Sequence, residues 1–348
     1  MSEAVFAIPG PLDTPSGSYI YDRRVIELMP SFGVTALHLE LEGNFPSPTE
    51  LDLRAVEEKL LRAPSDAKII IDGLALGVLP GTILEKFGDR IIGLVHQPLA
   101  NRGGLTQKRR DALVKSERAA LSFAGHVIAT SDAVRELLVT TYGVVPDLIT
   151  VAEPGTDPAS RATGTGTPLQ ILAVGAVGAS SGYDVFIDAL TPLEPLEWRL
   201  TIIGALDAEP DVVDSLTSQI AAAGLIDRVT LAGSVVPATL ARHYESADIF
   251  VLPSRSEGYA MALCEAMVRG LTIVTTHGRG RSQAIPDHAA LKIPADDKQA
   301  LQDALLRVLD NKKLRVRLAD AAWEAGRDLP TWNETARRIA AVIMGLRV

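Results

Sequence analysis

The chain has one cysteine, Cys264, among its 348 residues. A single thiol excludes an intramolecular disulfide and a cysteine-rich metal site, and it fits a reducing compartment. Cys264 directly precedes Glu265 in a helical pattern, where a free Cys packs as a small hydrophobe far more often than it reacts. Positive charge is also scarce: 34 Lys and Arg against 43 Asp and Glu give a net charge of −9, which argues against a general nucleic-acid binder. No uninterrupted apolar run approaches the roughly 20 residues needed to cross a bilayer. The opening MSEAVFAIPGPL has no basic start and too short an apolar run for a secretory signal, so the expectation is a cytoplasmic protein.

What is present suffices for an ample core. Hydrophobic residues make up 47% and charged residues 22%, and the length suggests two domains. Short apolar runs at 5–8, 36–41, 69–72, 91–96, 127–130 and 149–151 alternate with helical or loop segments, as a parallel α/β lobe requires. The stretch 153–168 gathers small residues and prolines without apolar periodicity and reads as a linker. A second alternation follows from Leu169, giving expected domains of 1–152 and 169–328, with a last helical segment at 329–348.

The second lobe centres on 249–276, IFVLPSRSEGYAMALCEAMVRGLTIVTT, which reads as a strand, a loop, a helix and a strand. Glu257 stands where the loop meets the helix and Glu265 eight positions on, so both belong near one end of the sheet. In open parallel sheets ligands bind at that end, because loops leave the strand tips and helix N-termini present free N–H groups. Gly258 permits close backbone approach, and the N–H groups of Tyr259 and Ala260 can meet an anion. Taken alone, the two acids read equally as a capping carboxylate and a solvated helical Glu.

The whole segment, however, resembles one family. Ser254-x-x-Glu257-Gly258, then Glu265-Ala266-Met267, Gly270 and Ile273-Val274 look like the E-x7-E signature of retaining glycosyltransferases of the GT4 type, which have the GT-B fold. The resemblance implies two Rossmann-like lobes facing a cleft, a final helix crossing back to the first lobe, and no cofactor or catalytic metal. It implies transfer of a sugar from an activated donor, normally a nucleoside diphosphate sugar, to a hydroxyl acceptor. By the same resemblance Glu265 takes the ribose hydroxyls and Glu257 the donor sugar, while the N–H groups after Gly258 steady the leaving phosphate. His96, at a strand tip in GLVHQP, lies beside the donor sugar, its neutral ring bonding a hydroxyl; a lone His is otherwise a structural residue. The Gly233-Ser234-Val235 turn borders the nucleobase through backbone groups. Gly17 sits in the first-lobe phosphate loop and Gly175 in the second. Ser131 faces the cleft or simply caps its helix, and Trp332 anchors the crossing by packing.

Two loops depart from the family. The turn GAVGASSG from Gly175 to Gly182 does not give G-x-G-x-x-G, so a nicotinamide dehydrogenase is a poor rival. The family carries an Arg after the first Gly and a Lys before the last, both on the diphosphate. Here Ala176 and Ser181 stand there, and Gln283 stands for a family Glu. Three explanations remain open: replacement by Arg255, Arg279 or Arg281; a donor that is not a nucleoside diphosphate sugar; or a noncatalytic relative that binds a sugar ligand or partner. The basic stretch 102–118, with Arg102, Lys108, Arg109, Arg110, Lys115 and Arg118, reads as a solvated helix face or as a surface for anionic lipid at the inner membrane face.

Overall fold

The computed structural model describes residues 2–14, 16–207, 209–255, 259–277 and 285–346. The chain divides into two compact units, one of residues 1–155 together with 330–348, the other of residues 156–329.

In the first unit, strands β1 (Ser2–Pro9), β2 (Val34–Leu41), β3 (Lys68–Asp72), β4 (Ile91–Val95), β5 (His126–Ala129) and β6 (Ile149–Val151) form one parallel sheet in the order β2-β1-β3-β4-β5-β6. Strands covered on both faces are apolar through their middle, as in KIIID and IIGLV. Helices α1 (Gly17–Leu28), α2 (Glu50–Leu61), α3 (Gly73–Leu76), α4 (Gly81–Leu84), α5 (Gln107–Leu121) and α6 (Asp132–Thr140) connect them. The order reverses at β1, so the connections after β1 and β3 leave in opposite directions and open a crevice at the strand tips.

The second unit repeats the plan with β7 (Leu169–Val174), β8 (Trp198–Ile203), β9 (Val229–Gly233), β10 (Ile249–Leu252), β11 (Thr272–Thr276) and β12 (Ala290–Ile293) in the order β12-β11-β10-β7-β8-β9, again parallel. Its described helices are α7 (Tyr183–Leu190), α8 (Pro210–Ala222), α9 (Pro237–Ser246), α10 (Met261–Met267), α11 (Lys298–Asp310) and α12 (Lys312–Gly326). Here the reversal falls between β7 and β10. The core on one face joins Trp198, Phe186 and Ile202 to Leu301, Leu305 and Val308, spaced along α11 so that one stripe faces inward.

The last helix, α13 (Trp332–Ile343), belongs to the first unit. A reciprocal capping box fixes its start: Glu334 N–H donates to Thr331 Oγ1 (3.3 Å) and Thr331 N–H to Glu334 Oε2 (2.7 Å). Trp332, Ala336, Ile339, Ala340 and Ile343 are buried, and large side chains buried in this way contribute roughly 1.5–3 kcal/mol each. The Tyr21 ring meets Trp332 edge-on at 5.9 Å, and the Arg24 guanidinium lies 5.5 Å from the indole centroid. Gly155 is required beneath this start, since a Cβ there would lie 2.2 Å from the Trp332 nitrogen.

Two expectations need adjusting. Much of 153–168 is packed rather than free: Ala162 N–H donates to the Arg269 carbonyl (2.8 Å) and Thr163 N–H to that of Glu245 (3.0 Å), fixing the segment to the second unit. The fourth strand ends at Val95, which leaves His96 to open the following loop.

Candidate functional site

Each unit collects polar groups at its strand tips. In the first, the crevice beside β1 gathers residues from three elements: Asp22 on α1, Asp72 at the end of β3, and His96 after β4. His96 Nε2 lies 3.0 Å from Asp22 Oδ1 and 3.5 Å from Asp72 Oδ2. Both carboxylates are almost wholly buried, at 1% and 3% exposure, while the ring keeps 19%. Asp72 also accepts the Leu74 N–H at 2.7 Å, capping α3, and the Tyr21 ring stands edge-on to His96 at 5.0 Å.

Burial first, and the charge of Asp22 second, push the Asp72 carboxyl up to about 7; His96 pulls the other way. For His96, burial opposes the charged ring, but its hydrogen bond with Asp22 and the fields of Asp22 and Asp72 outweigh it and raise the pKa. The ring expected to be neutral is therefore held toward its protonated form, because two acids flank it. Among the described residues these three also form a group able to converge on a cation, their ligand atoms all within 4.8 Å of one another.

Behind His96 a buried carboxylate sets the loop. Glu117 of α5 accepts the N–H groups of Leu99 (2.7 Å) and Ala100 (3.3 Å) and the Tyr142 hydroxyl (3.0 Å). Burial raises its pKa, and those donors oppose the rise. Thr130 Oγ1 donates to the His96 carbonyl at 3.0 Å, and Ser131 caps α6 by accepting the Val134 N–H at 3.2 Å. Gly17 is the first residue of α1 and Ser16 its N-cap. Three cations of the basic stretch bond the protein's own carbonyls, Arg109 that of Pro46, Arg110 that of Ala100 and Arg118 that of Thr141, with Arg109 and Arg118 still exposed.

In the second unit, Glu265 sits on α10 with its side chain hydrogen-bonded to Tyr244, and Arg269 stacks over the Tyr244 ring at 4.7 Å. Burial raises the Glu265 pKa, partly offset by that bond and by Arg269. Burial also raises the Tyr244 phenol, with Glu265 adding to it. Tyr259 and Ala260 are buried just before α10, and Ala260 holds a left-handed backbone (φ 54°), a costly conformation for a residue with a Cβ. After β9, Ser234 is exposed and Val235 half-buried against the core. Cys264 is buried, as a packing residue should be.

The 175–182 loop is closed on itself. Ser181 Oγ donates to the Gly178 carbonyl at 2.7 Å and Tyr183 Oη to that of Gly175 at 3.2 Å. Ala176 is exposed and neutral. Arg255, a candidate replacement for the missing cations, is engaged elsewhere: Nη2 meets Asp184 Oδ2 (2.7 Å), Nε meets Asp296 Oδ1 (2.6 Å), and Nη1 donates to the Ala179 carbonyl (2.7 Å). Two carboxylates thus balance the charge that was expected to be available to a phosphate. Glu257, Gly258, Arg279, Arg281 and Gln283 lie outside the described residues.

Asp22, Asp72, Tyr244 and Arg269 escaped the sequence reading. Asp72 at the tip of an otherwise apolar strand and Asp22 between the buried Tyr21 and Val25 were the available signals, since an acid on an apolar face needs a partner.

The architecture by itself defines a class: two Rossmann-like units, each a doubly wound parallel sheet with polar groups at its topological switch point. The structure of Anabaena HepE in complex with UDP and glucose superposes with a TM-score of 0.76 over 98% of this chain and 99% of that one, at 17% identity, which shows the GT-B fold. Residues 158–324, nearly the whole second unit, match the family "Glycosyl transferases group 1". Mannosylfructose-phosphate synthase of Agrobacterium fabrum is 30% identical over 240 residues, 63% of this chain and 52% of the relative. A D-inositol 3-phosphate glycosyltransferase of Xylanimonas cellulosilytica is 31% identical over 235 residues, 60% of this chain and 56% of the relative. The chain therefore spans about half the length of these curated relatives.

Proposed function

We propose that this protein is a retaining glycosyltransferase that moves a sugar from a nucleoside diphosphate donor to a hydroxyl acceptor in glycan or glycolipid synthesis. The observation that carries this reading is the match of residues 158–324 to the group 1 glycosyl transferases, because that segment holds the Glu265 cluster. A carboxylate accepts two hydrogen bonds at once, which suits the paired hydroxyls of a ribose; Tyr244 bonds the Glu265 side chain, and Arg269 donates to the Glu265 backbone carbonyl at 2.9 Å.

In this reading the first unit contributes His96. Asp22 engages Nε2, so Nδ1 is the nitrogen left for a sugar hydroxyl. The two acids favour the charged form of the ring, and a charged ring opposes negative charge that builds on a leaving phosphate, an effect strongest where donors are fixed beforehand. Glu257 takes the donor sugar and the backbone after Gly258 steadies the leaving group. Transfer runs without a metal ion, so EDTA leaves turnover unchanged; a loss would instead favour a cation among Asp22, Asp72 and His96.

Calorimetry with UDP-, GDP- and ADP-sugars, followed by assay of donor hydrolysis, tests the proposal. Micromolar binding of one donor with slow hydrolysis is expected. Silence across the panel would sink it in favour of the second reading, a noncatalytic ligand-binding relative or a transferase with a different donor. The replacement of both family cations by Ala176 and Ser181, with Arg255 already paired, is what keeps that second reading open.

A further inference from the structure

We propose that Glu209 is a specificity-determining residue that occupies the anion seat of the 175–182 loop, so that the protein selects its donor by sugar and nucleoside and gains little from a diphosphate. The inference deepens the glycosyltransferase reading and rests on it for the identity of the ligand. The loop leaves β7 at the topological switch point and enters the N-terminus of α7, where backbone N–H groups ordinarily receive an anion. Here the anion is the protein's own. The Ala179 N–H donates to Glu209 Oε2 at 3.2 Å, from the residue that precedes α8. Gly178 is what lets that carboxylate close down, since a Cβ there would lie 2.5 Å from Oε1.

The opposite side of the loop is filled as well. The Arg255 backbone N–H donates to the Ser180 carbonyl (2.8 Å) and its guanidinium to that of Ala179 (2.7 Å), so the cation grips the loop's acceptors and leaves its donors to Glu209. Asp184 and Asp296 share the same guanidinium, so its positive charge is already balanced, and Glu209 adds a further carboxylate to the loop. An incoming diphosphate would have to displace a carboxylate from its N–H and then sit among like charges. The neutral side chains at Ala176 and Ser181 and the carboxylate of Glu209 act in the same direction. A nucleoside or sugar, being uncharged, meets neither obstacle.

The test is a binding series with inorganic pyrophosphate and with uridine, guanosine and adenosine against their diphosphates. For the unaltered protein the preferred nucleoside and its diphosphate should bind within about threefold of each other, with pyrophosphate weak. Glu209→Gln removes the charge at an exposed position and should tighten pyrophosphate and the diphosphate about tenfold or more without changing the nucleoside. Ala176→Arg, also at an exposed position, should move affinity the same way. A diphosphate preferred strongly over its nucleoside by the unaltered protein overturns the proposal. So does Glu209→Gln with no gain for pyrophosphate, including no binding by either form. If Glu265→Ala leaves nucleoside binding unchanged while Glu209→Gln still gains pyrophosphate, the glycosyltransferase reading fails and the role of Glu209 stands.

Discussion

The two units use one plan and fill it differently. At the tips of the first sheet, two buried acids are aimed at one histidine, and the group meets solvent through that ring alone. At the corresponding place in the second unit, the loop after β7 has a neutral side chain at 176, a hydroxyl turned inward at 181, and a protein carboxylate on its N–H. A switch point in a parallel sheet provides room and free backbone donors whatever the sequence; the side chains decide whether that room attracts an anion or repels one. The first unit has concentrated charge where burial magnifies it, whereas the second has already balanced its own.

The largest effect expected from breaking this contrast is on the first unit. His96→Ala should lower kcat about 100-fold, the scale of losing one fixed donor from a developing charge. Asp22→Asn should cost less and shift the basic limb of the pH–rate profile to lower pH, because Asp22 acts through the ring and raises its pKa.

Glu265→Ala tests the second unit: nucleotide affinity should fall roughly 10- to 100-fold, as expected for charge-assisted hydrogen bonds, in a calorimetric titration. Unchanged affinity would mean that the Tyr244–Arg269 cluster only serves packing.

Glu117→Gln should reduce stability by about 1–3 kcal/mol in urea unfolding, since one buried N–H or hydroxyl loses its acceptor. An accompanying fall in kcat would show that the Leu99–Ala100 turn orients His96.

The pH dependence follows from the same cluster. Native Asp72 titrates near about 7 against an ordinary 3.8, so it keeps a proton that the unfolded chain has lost, and stability falls as pH rises between those values. His96, raised above 6.5, contributes stability that is complete below that value and lost as pH rises through its native pKa. Both slopes have one sign, so Tm should fall from about pH 5 to about pH 8, and Asp72→Asn should flatten the fall. A Tm that climbs over this range would show that the acids are not buried against the ring.

The smallest effect concerns the basic helix. Lys108→Glu with Lys115→Glu should leave sedimentation with anionic vesicles unchanged, given that the neighbouring arginines bond the protein's own carbonyls; lost sedimentation would favour a membrane-facing role.

The strands were legible because a parallel strand covered on both faces is a largely apolar run, short and bounded by turn residues, as LQILAV and IFVL are. His96 and Glu265 were legible as chemistry-bearing residues at strand tips or in a motif. Their partners were not. Asp22, Asp72 and His96 are far apart in the chain, and Asp72 reads as a routine cap for the helix after it, a task it also performs. Tyr244 reads as one apolar position on a helix, although its hydroxyl meets Glu265 from another element.

By itself the sequence determined two α/β lobes of alternating strands and helices, because local periodicity and the covering of apolar faces leave few arrangements. Tertiary structure alone decided charge: that His96 lies between two acids, that Arg255 is already paired, and that Glu209 has closed on a bare glycine. Ionic interactions depend on distance and burial, and the topology sets both by joining residues that the chain keeps far apart.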